Sequence, residues 1–159
     1  MLKKIKWLLL GVASILIIVV AYIVSLVRYA QTEVTALNNY TASLLTLPEV
    51  ASVGQIHRFN GLASYIVASI ELDNGQDVYY FVRDGTVAYY FFSVDLINEH
   101  DAIGTARNLV RTGEVIHTQL GILSGTPIFE VQIEDKDERV VHYIIIDAKT
   151  RELIIKFDT

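Results

Sequence analysis

The hydrophobic pattern of the chain begins with one long run. From Leu8 to Val27 it reads LLLGVASILIIVVAYIVSLV, twenty residues without a charge. As an α-helix rising 1.5 Å per residue, this run spans about 30 Å, the thickness of a bilayer's hydrocarbon core. It divides the chain into a stub (residues 1–7), a membrane span (8–27) that would contact the lipid bilayer, and a long polar remainder. Between Arg28 and Leu47 there is no Gly or Pro, and Pro48 closes the segment. Val34, Leu37, Thr41, Leu44 and Leu45 recur there at helical spacing, which predicts an amphipathic helix. No breaker separates it from the span, so the two can form one helix.

Beyond Pro48 the period changes. Four strand-like runs follow, Val50–Phe59, Leu62–Leu72, Asp77–Arg83 and Thr86–Phe92, joined at Asn60-Gly61, Asn74-Gly75 and Asp84-Gly85. Asn-Gly and Asp-Gly supply the positive φ of tight hairpin turns, so the runs predict an antiparallel meander. After a connector at 93–97, Asn98 can cap a helix over Glu99–Thr112, with Asp101 in its first turn and Gly113 at its end. Four more strands are predicted: Val115–Leu123, Thr126–Asp135, Arg139–Asp147 and Glu152–Phe157.

The order of a helix then four strands therefore occurs twice. Sliding the chain on itself by 64 residues matches Thr41 with Thr105, Ala42 with Ala106, Leu45 with Leu109, Gln55 with Gln119, Gly61 with Gly125, Val67 with Val131, Asp73 with Asp137 and Thr86 with Thr150. Helices and turns fall into register with them. The fold class expected is α+β: an N-terminal transmembrane helix, then two tandem units of a helix and a four-stranded antiparallel sheet, at 28–92 and 98–159. Units of this size are marginal alone, so an interface between them is expected.

Alternation assigns the faces. Phe129, Val131 and Ile133 alternate with polar residues and should face the helix, as should Leu153, Ile155 and Phe157. Placing His142 outside turns Val141, Tyr143 and Ile145 inward. Carried back by 64 residues, this parity puts Tyr79, Phe81, Tyr89 and Phe91 in the first core and leaves Tyr80, Tyr90 and Phe92 on the far face. In Tyr65–Leu72 the even positions are the more apolar set, and the register there stays open. A sheet with one wet face should alternate, yet Val78–Val82 and Val87–Phe92 are apolar on both faces. Either the other repeat, the connector or the first helix covers Tyr80, Tyr90 and Phe92, or these rings form a partner-binding patch of the kind aromatic residues favour.

Charge sharpens the division. Lys3, Lys4 and Lys6 precede the apolar run, and all eighteen Asp and Glu lie beyond it. From Tyr29 onward nine Lys and Arg face those eighteen acids, a net charge of about −9. Such a surface argues against nucleic acid as a partner. The lysine bias predicts a cytoplasmic N-terminus and an extracellular C-terminal domain. A cleaved signal peptide is the rival reading, but the run is longer than a signal's 7–15 apolar residues and Val27-Arg28-Tyr29-Ala30-Gln31 is a poor cleavage site. The chain has no Cys, which excludes disulfides and thiol chemistry.

Candidate chemistry is sparse. His57, His100, His117 and His142 show no metal-ligand spacing. Gly121-Ile122-Leu123-Ser124-Gly125 has the wrong spacing for a nucleophile elbow and sits between strands. Glu134–Glu138 is an acidic turn without the Gly of a calcium loop, and reads as a solvated hairpin tip. Asn39-Tyr40-Thr41 matches the N-glycosylation pattern, which is common by chance. No catalytic residue, cofactor or metal site is expected, and the chain is read as a non-enzyme.

The ending Asp147-Ala148-Lys149-Thr150-Arg151-Glu152-Leu153, with Phe129-Glu130-Val131 and Tyr143-Ile144-Ile145-Ile146-Asp147 before it, resembles the PepSY module, although Arg151 stands where that module usually has Gly. A Lys-rich stub, one span and two such copies resemble the TseB-like cell-wall elongation regulators of Gram-positive bacteria. The resemblance implies a cystatin-like fold for each copy. It also implies a non-enzymatic role in peptidoglycan elongation, at the outer membrane face beside a penicillin-binding protein. PepSY units in propeptides suggest the alternative of an inhibitor of an exported protease.

Overall fold

The computed structural model describes the backbone of residues 2–159 and the side chains of residues 15–29 and 31–159. The basic stub and residues 8–14 of the apolar run thus lie outside the described side chains. The chain divides into two compact units, residues 1–39 and Tyr40–Thr159.

The first unit is helical. Helix α1 runs from Leu2 to Leu44 without interruption, so the span and the amphipathic segment are one element whose last turn belongs to the second unit. From Ile15 to Val27 every large apolar side chain is 44–67% exposed. A bare apolar surface of that length is unstable in water and long enough to cross a bilayer.

The second unit holds two four-stranded antiparallel sheets, β1-β2-β3-β4 and β5-β6-β7-β8. The strands are β1 (Val50–Asn60), β2 (Ser64–Leu72), β3 (Asp77–Arg83), β4 (Thr86–Phe92), β5 (Glu114–Leu123), β6 (Thr126–Asp135), β7 (Val140–Asp147) and β8 (Leu153–Asp158). Helix α2 (Glu99–Leu109) packs on β5, β6 and β7. Leu44, in the last turn of α1, is buried within the same unit as the two sheets. This is the doubled α+β architecture expected from the repeat.

Turn chemistry explains the meanders. The β3–β4 and β5–β6 hairpins have two-residue loops, Asp84-Gly85 and Ser124-Gly125, with positive φ at all four positions. Ser124 is thus a hairpin residue. Asn60-Gly61 departs from the expectation: Gly61 has no positive φ. The glycine is needed there for space, since a Cβ would stand 2.7 Å from the Phe59 ring. Asn98 caps α2 by accepting from the Asp101 N–H at 2.8 Å. The helix stops at Leu109, three residues before the expected end, and Arg107 then donates to the Gly113 carbonyl.

Both sheets contribute to one continuous core. Phe59, Tyr65, Val67 and Phe81 from the first join Ala102 and Ala106 of α2 and Leu120, Phe129, Val131, Ile133, Ile144 and Ile146 of the second. Edge strands β1 and β5 meet, with the Phe59 ring over Gly121 and His57 Nε2 hydrogen-bonded to the Leu120 carbonyl at 2.8 Å. The open register of β2 is explained by burial on both sides. Ile66, Ala68 and Ile70 are buried on one face, and Tyr65 and Val67 on the other.

Two face assignments are corrected. Cross-strand partners share a face, and Ile133 pairs with His142 and Val131 with Ile144. His142, Ile144 and Ile146 therefore point into the core, while Val141, Tyr143 and Ile145 lie on the other face. Tyr143 pairs with Phe157 and Ile145 with Ile155, so Phe157 and Ile155 follow them outward, and Leu153 is also exposed. The physical reason is that His142 is satisfied inside: its Nδ1 bonds Asp158 at 2.7 Å. Outside, the Tyr143 and Phe157 rings stack at 4.9 Å.

Candidate partner-binding site

The sequence singled out Tyr80, Tyr90 and Phe92, and the β3–β4 register brings them together. Tyr80 pairs with Tyr90 and Val78 with Phe92, which places all four side chains on one face. The rings form a chain of edge-to-face contacts, Tyr80 to Tyr90 at 6.5 Å and Tyr90 to Phe92 at 6.1 Å. Their exposure grades outward. Tyr80 is 7% exposed, Phe92 is half-buried, and Tyr90 is 60% exposed on edge strand β4.

A groove of about 400 Å³ opens beside them, with Leu72, Val78 and Val87 completing its apolar wall. Its one ionic member is Glu49, from the turn between α1 and β1, whose carboxylate accepts from the Tyr80 hydroxyl at 3.5 Å. Burial raises the Tyr80 pKa above that of a free tyrosine, and the charge and hydrogen bond of Glu49 push it the same way. Sequence reading missed Glu49. It lies 31 residues before Tyr80, in a turn with no periodicity of its own, and only tertiary pairing delivers it.

Two other clusters emerge. Asp135, Glu138 and His142 place a carboxylate oxygen each and an imidazole nitrogen within 4.8 Å of one another, a donor set that suits a divalent cation. Contacts within the chain already account for two of them. Asp135 accepts from the N–H groups of Asp137 and Glu138, and His142 is bonded to Asp158. The Thr112 hydroxyl first, then the Glu138 and Asp137 amides and the nearby His142, hold the Asp135 carboxyl below the usual range. The acidic turn is therefore solvated only at its tip, since Asp135 itself is 4% exposed. A cavity of about 330 Å³ lies between the sheets and the start of α2, its lining half apolar and half polar, the polar part including His57, His117, Gln55, Gln119 and Thr118. The Thr118 hydroxyl is buried there without a hydrogen-bond partner among the described residues.

No family model and no curated protein matches the chain. Among solved structures, the YpmB protein from Bacillus subtilis aligns with a TM-score of 0.66 at 18% identity, over 77% of this chain and 96% of that one. The chain has the YpmB fold. A chain described as a lipoprotein from Clostridium difficile 630 aligns at TM-score 0.40 and 12% identity, over 67% and 82% of the two chains. That likeness is too distant to carry an argument.

Proposed function

We propose that this chain is a membrane-anchored, extracytoplasmic PepSY-type protein that regulates peptidoglycan elongation by binding, in the manner of TseB-like proteins, with a penicillin-binding protein as its partner. The observation that carries this reading is the Tyr80–Tyr90–Phe92 groove, an aromatic surface graded from buried to exposed, in a chain whose α1 offers a span. Fold likeness to YpmB and the tandem units support the family; the lack of Cys and of any catalytic triad spacing supports binding over catalysis. Anchoring fits this role because confinement to the membrane plane raises effective concentration without new contacts.

The test is photo-crosslinking in the producing cells. A photoreactive amino acid replaces Tyr90, and adducts are probed with a fluorescent β-lactam. An adduct carrying the β-lactam label is expected from position 90 and not from Leu62, which is exposed in the β1–β2 loop. Adducts from position 90 that never carry the label refute the assigned partner. Full complementation of a deletion by residues 29–159 alone refutes the role of the anchor.

A further inference from the structure

The groove of Glu49, Tyr80, Tyr90 and Phe92 has a chemistry more specific than apolar contact. This inference rests on the reading of that groove as a partner site. An aromatic face carries negative quadrupole charge, so clustered rings beside a carboxylate attract a cation and hold its alkyl stem at the same time.

The chain applies that chemistry on the opposite face of the same sheet. Lys149 Nζ lies 4.8 Å from the centre of the Phe91 ring, and the Arg83 guanidinium lies 5.9 Å from that of Tyr65. Those rings are supplied with cations from within the protein. On the groove face, no Lys or Arg stands over Tyr80, Tyr90 or Phe92 among the described residues. The surroundings are acidic as well. Residues 40–97 contain six carboxylates and two arginines, and one of those, Arg83, is 3.5 Å from Asp84. The groove, of about 400 Å³, has room for the end of a long side chain, and Tyr90 stands exposed at its rim.

The geometry points to a cation-binding anchor site: the groove takes the Lys or Arg side chain of a basic segment on the protein partner. Glu49 neutralises the charge, the three rings contact the cation and its methylenes, and Tyr80 holds Glu49 in place through its hydroxyl.

The test uses the full chain in detergent micelles with carbon-13-labelled tyrosine rings. It is titrated with acetyl-glycyl-lysyl-glycinamide, the arginyl counterpart and the uncharged norleucyl counterpart. Saturable shifts of the Tyr80 and Tyr90 signals are expected with the two cationic peptides and not with the norleucyl one. Glu49→Gln should weaken binding about fivefold and Tyr90→Ala should abolish it, while Tyr90→Phe retains it. Both substituted positions are exposed, so unchanged signals from the other tyrosines serve as the folding check. Equal binding of the norleucyl peptide, or undiminished binding to Glu49→Gln, overturns the proposal. So does a change from dimer to monomer on Tyr90→Ala, which would make a second copy of the chain the occupant. A β-lactam-labelled adduct at position 90 that survives Glu49→Gln at full yield overturns the cationic anchor and leaves the partner reading standing. Cationic peptide binding without any such adduct does the reverse.

Discussion

Gly121→Ala probes the junction of the two repeats with a single methyl group. A Cβ at Gly121 would stand 2.3, 2.4 and 2.5 Å from three atoms of the Phe59 ring, about 1 Å inside ordinary carbon–carbon contact. Phe59 is 2% exposed and belongs to the shared core, so the ring has no open direction in which to retreat. Overpacking of this kind costs about 2–3 kcal/mol. With a urea m-value of about 1.5 kcal/mol per M, the unfolding midpoint should fall by roughly 1.5 M. The assay is urea denaturation of the full chain in micelles, followed by near-ultraviolet circular dichroism of the nine tyrosines. In a Phe59→Leu background the smaller side chain leaves room, and the cost of Gly121→Ala should drop below about 1 kcal/mol, a coupling that a double-mutant cycle isolates. A negligible effect of Gly121→Ala alone, or an equal cost in both backgrounds, refutes the close approach of the repeats at this point.

Four further outcomes are expected. Tyr80 has a raised folded-state pKa, so the stability tied to its neutral form is complete below the unfolded value of about 10 and is lost as pH rises through the folded one. Tyr80→Phe should flatten that alkaline limb in a denaturation series. Asp135 is shifted the other way, so its contribution is present above the ordinary carboxyl pKa and is lost as pH falls through the depressed one. The midpoint of Asp135→Asn should therefore lie below wild type at pH 6 and converge with it near pH 2. Asn98→Ala removes the cap on Asp101 and should cost about 1 kcal/mol in the same urea assay, with hydrogen exchange accelerated first in α2. Arg151→Gly should leave stability within about 1 kcal/mol of wild type while Arg151→Ala lowers it. Glycine relieves the φ of 67° but gives up the ion pair to Asp101, whereas alanine keeps the strain and loses the pair.

That arginine shows what the sequence could and could not reveal. A residue other than glycine in the turn between Asp147 and Glu152 is visible in the sequence. Its compensation, a 2.8 Å bond to Asp101 at the start of α2, joins residues 50 apart and is not. The doubled order of helix and strands was legible because turns and caps are local signals, and strand ends fell within a few residues of expectation. Face parity failed at β7, where His142 was placed outside on polarity alone. A buried histidine needs one good partner, and Asp158 arrives from the neighbouring strand. The aromatic half of the candidate site was legible because Tyr80, Tyr90 and Phe92 are adjacent across one hairpin. Its acidic half came from another segment, where no local pattern points to it.

The meeting of β1 and β5 has a consequence for how the protein must be made and kept. With those two edges turned toward each other, β4 and β8 remain as the outer edges of their sheets. Strand β8 interrupts its apolar run with Lys156, a charge that discourages strand addition. Strand β4 is Thr-Val-Ala-Tyr-Tyr-Phe-Phe, with neither charge nor proline, the composition of segments that stack into fibrils. The strand that supplies two of the groove's rings thus carries an edge open to self-templating. Expression of this protein at high concentration should be limited by β4, and Thr86→Lys, at an exposed position outside the groove lining, should raise its solubility while leaving the groove intact.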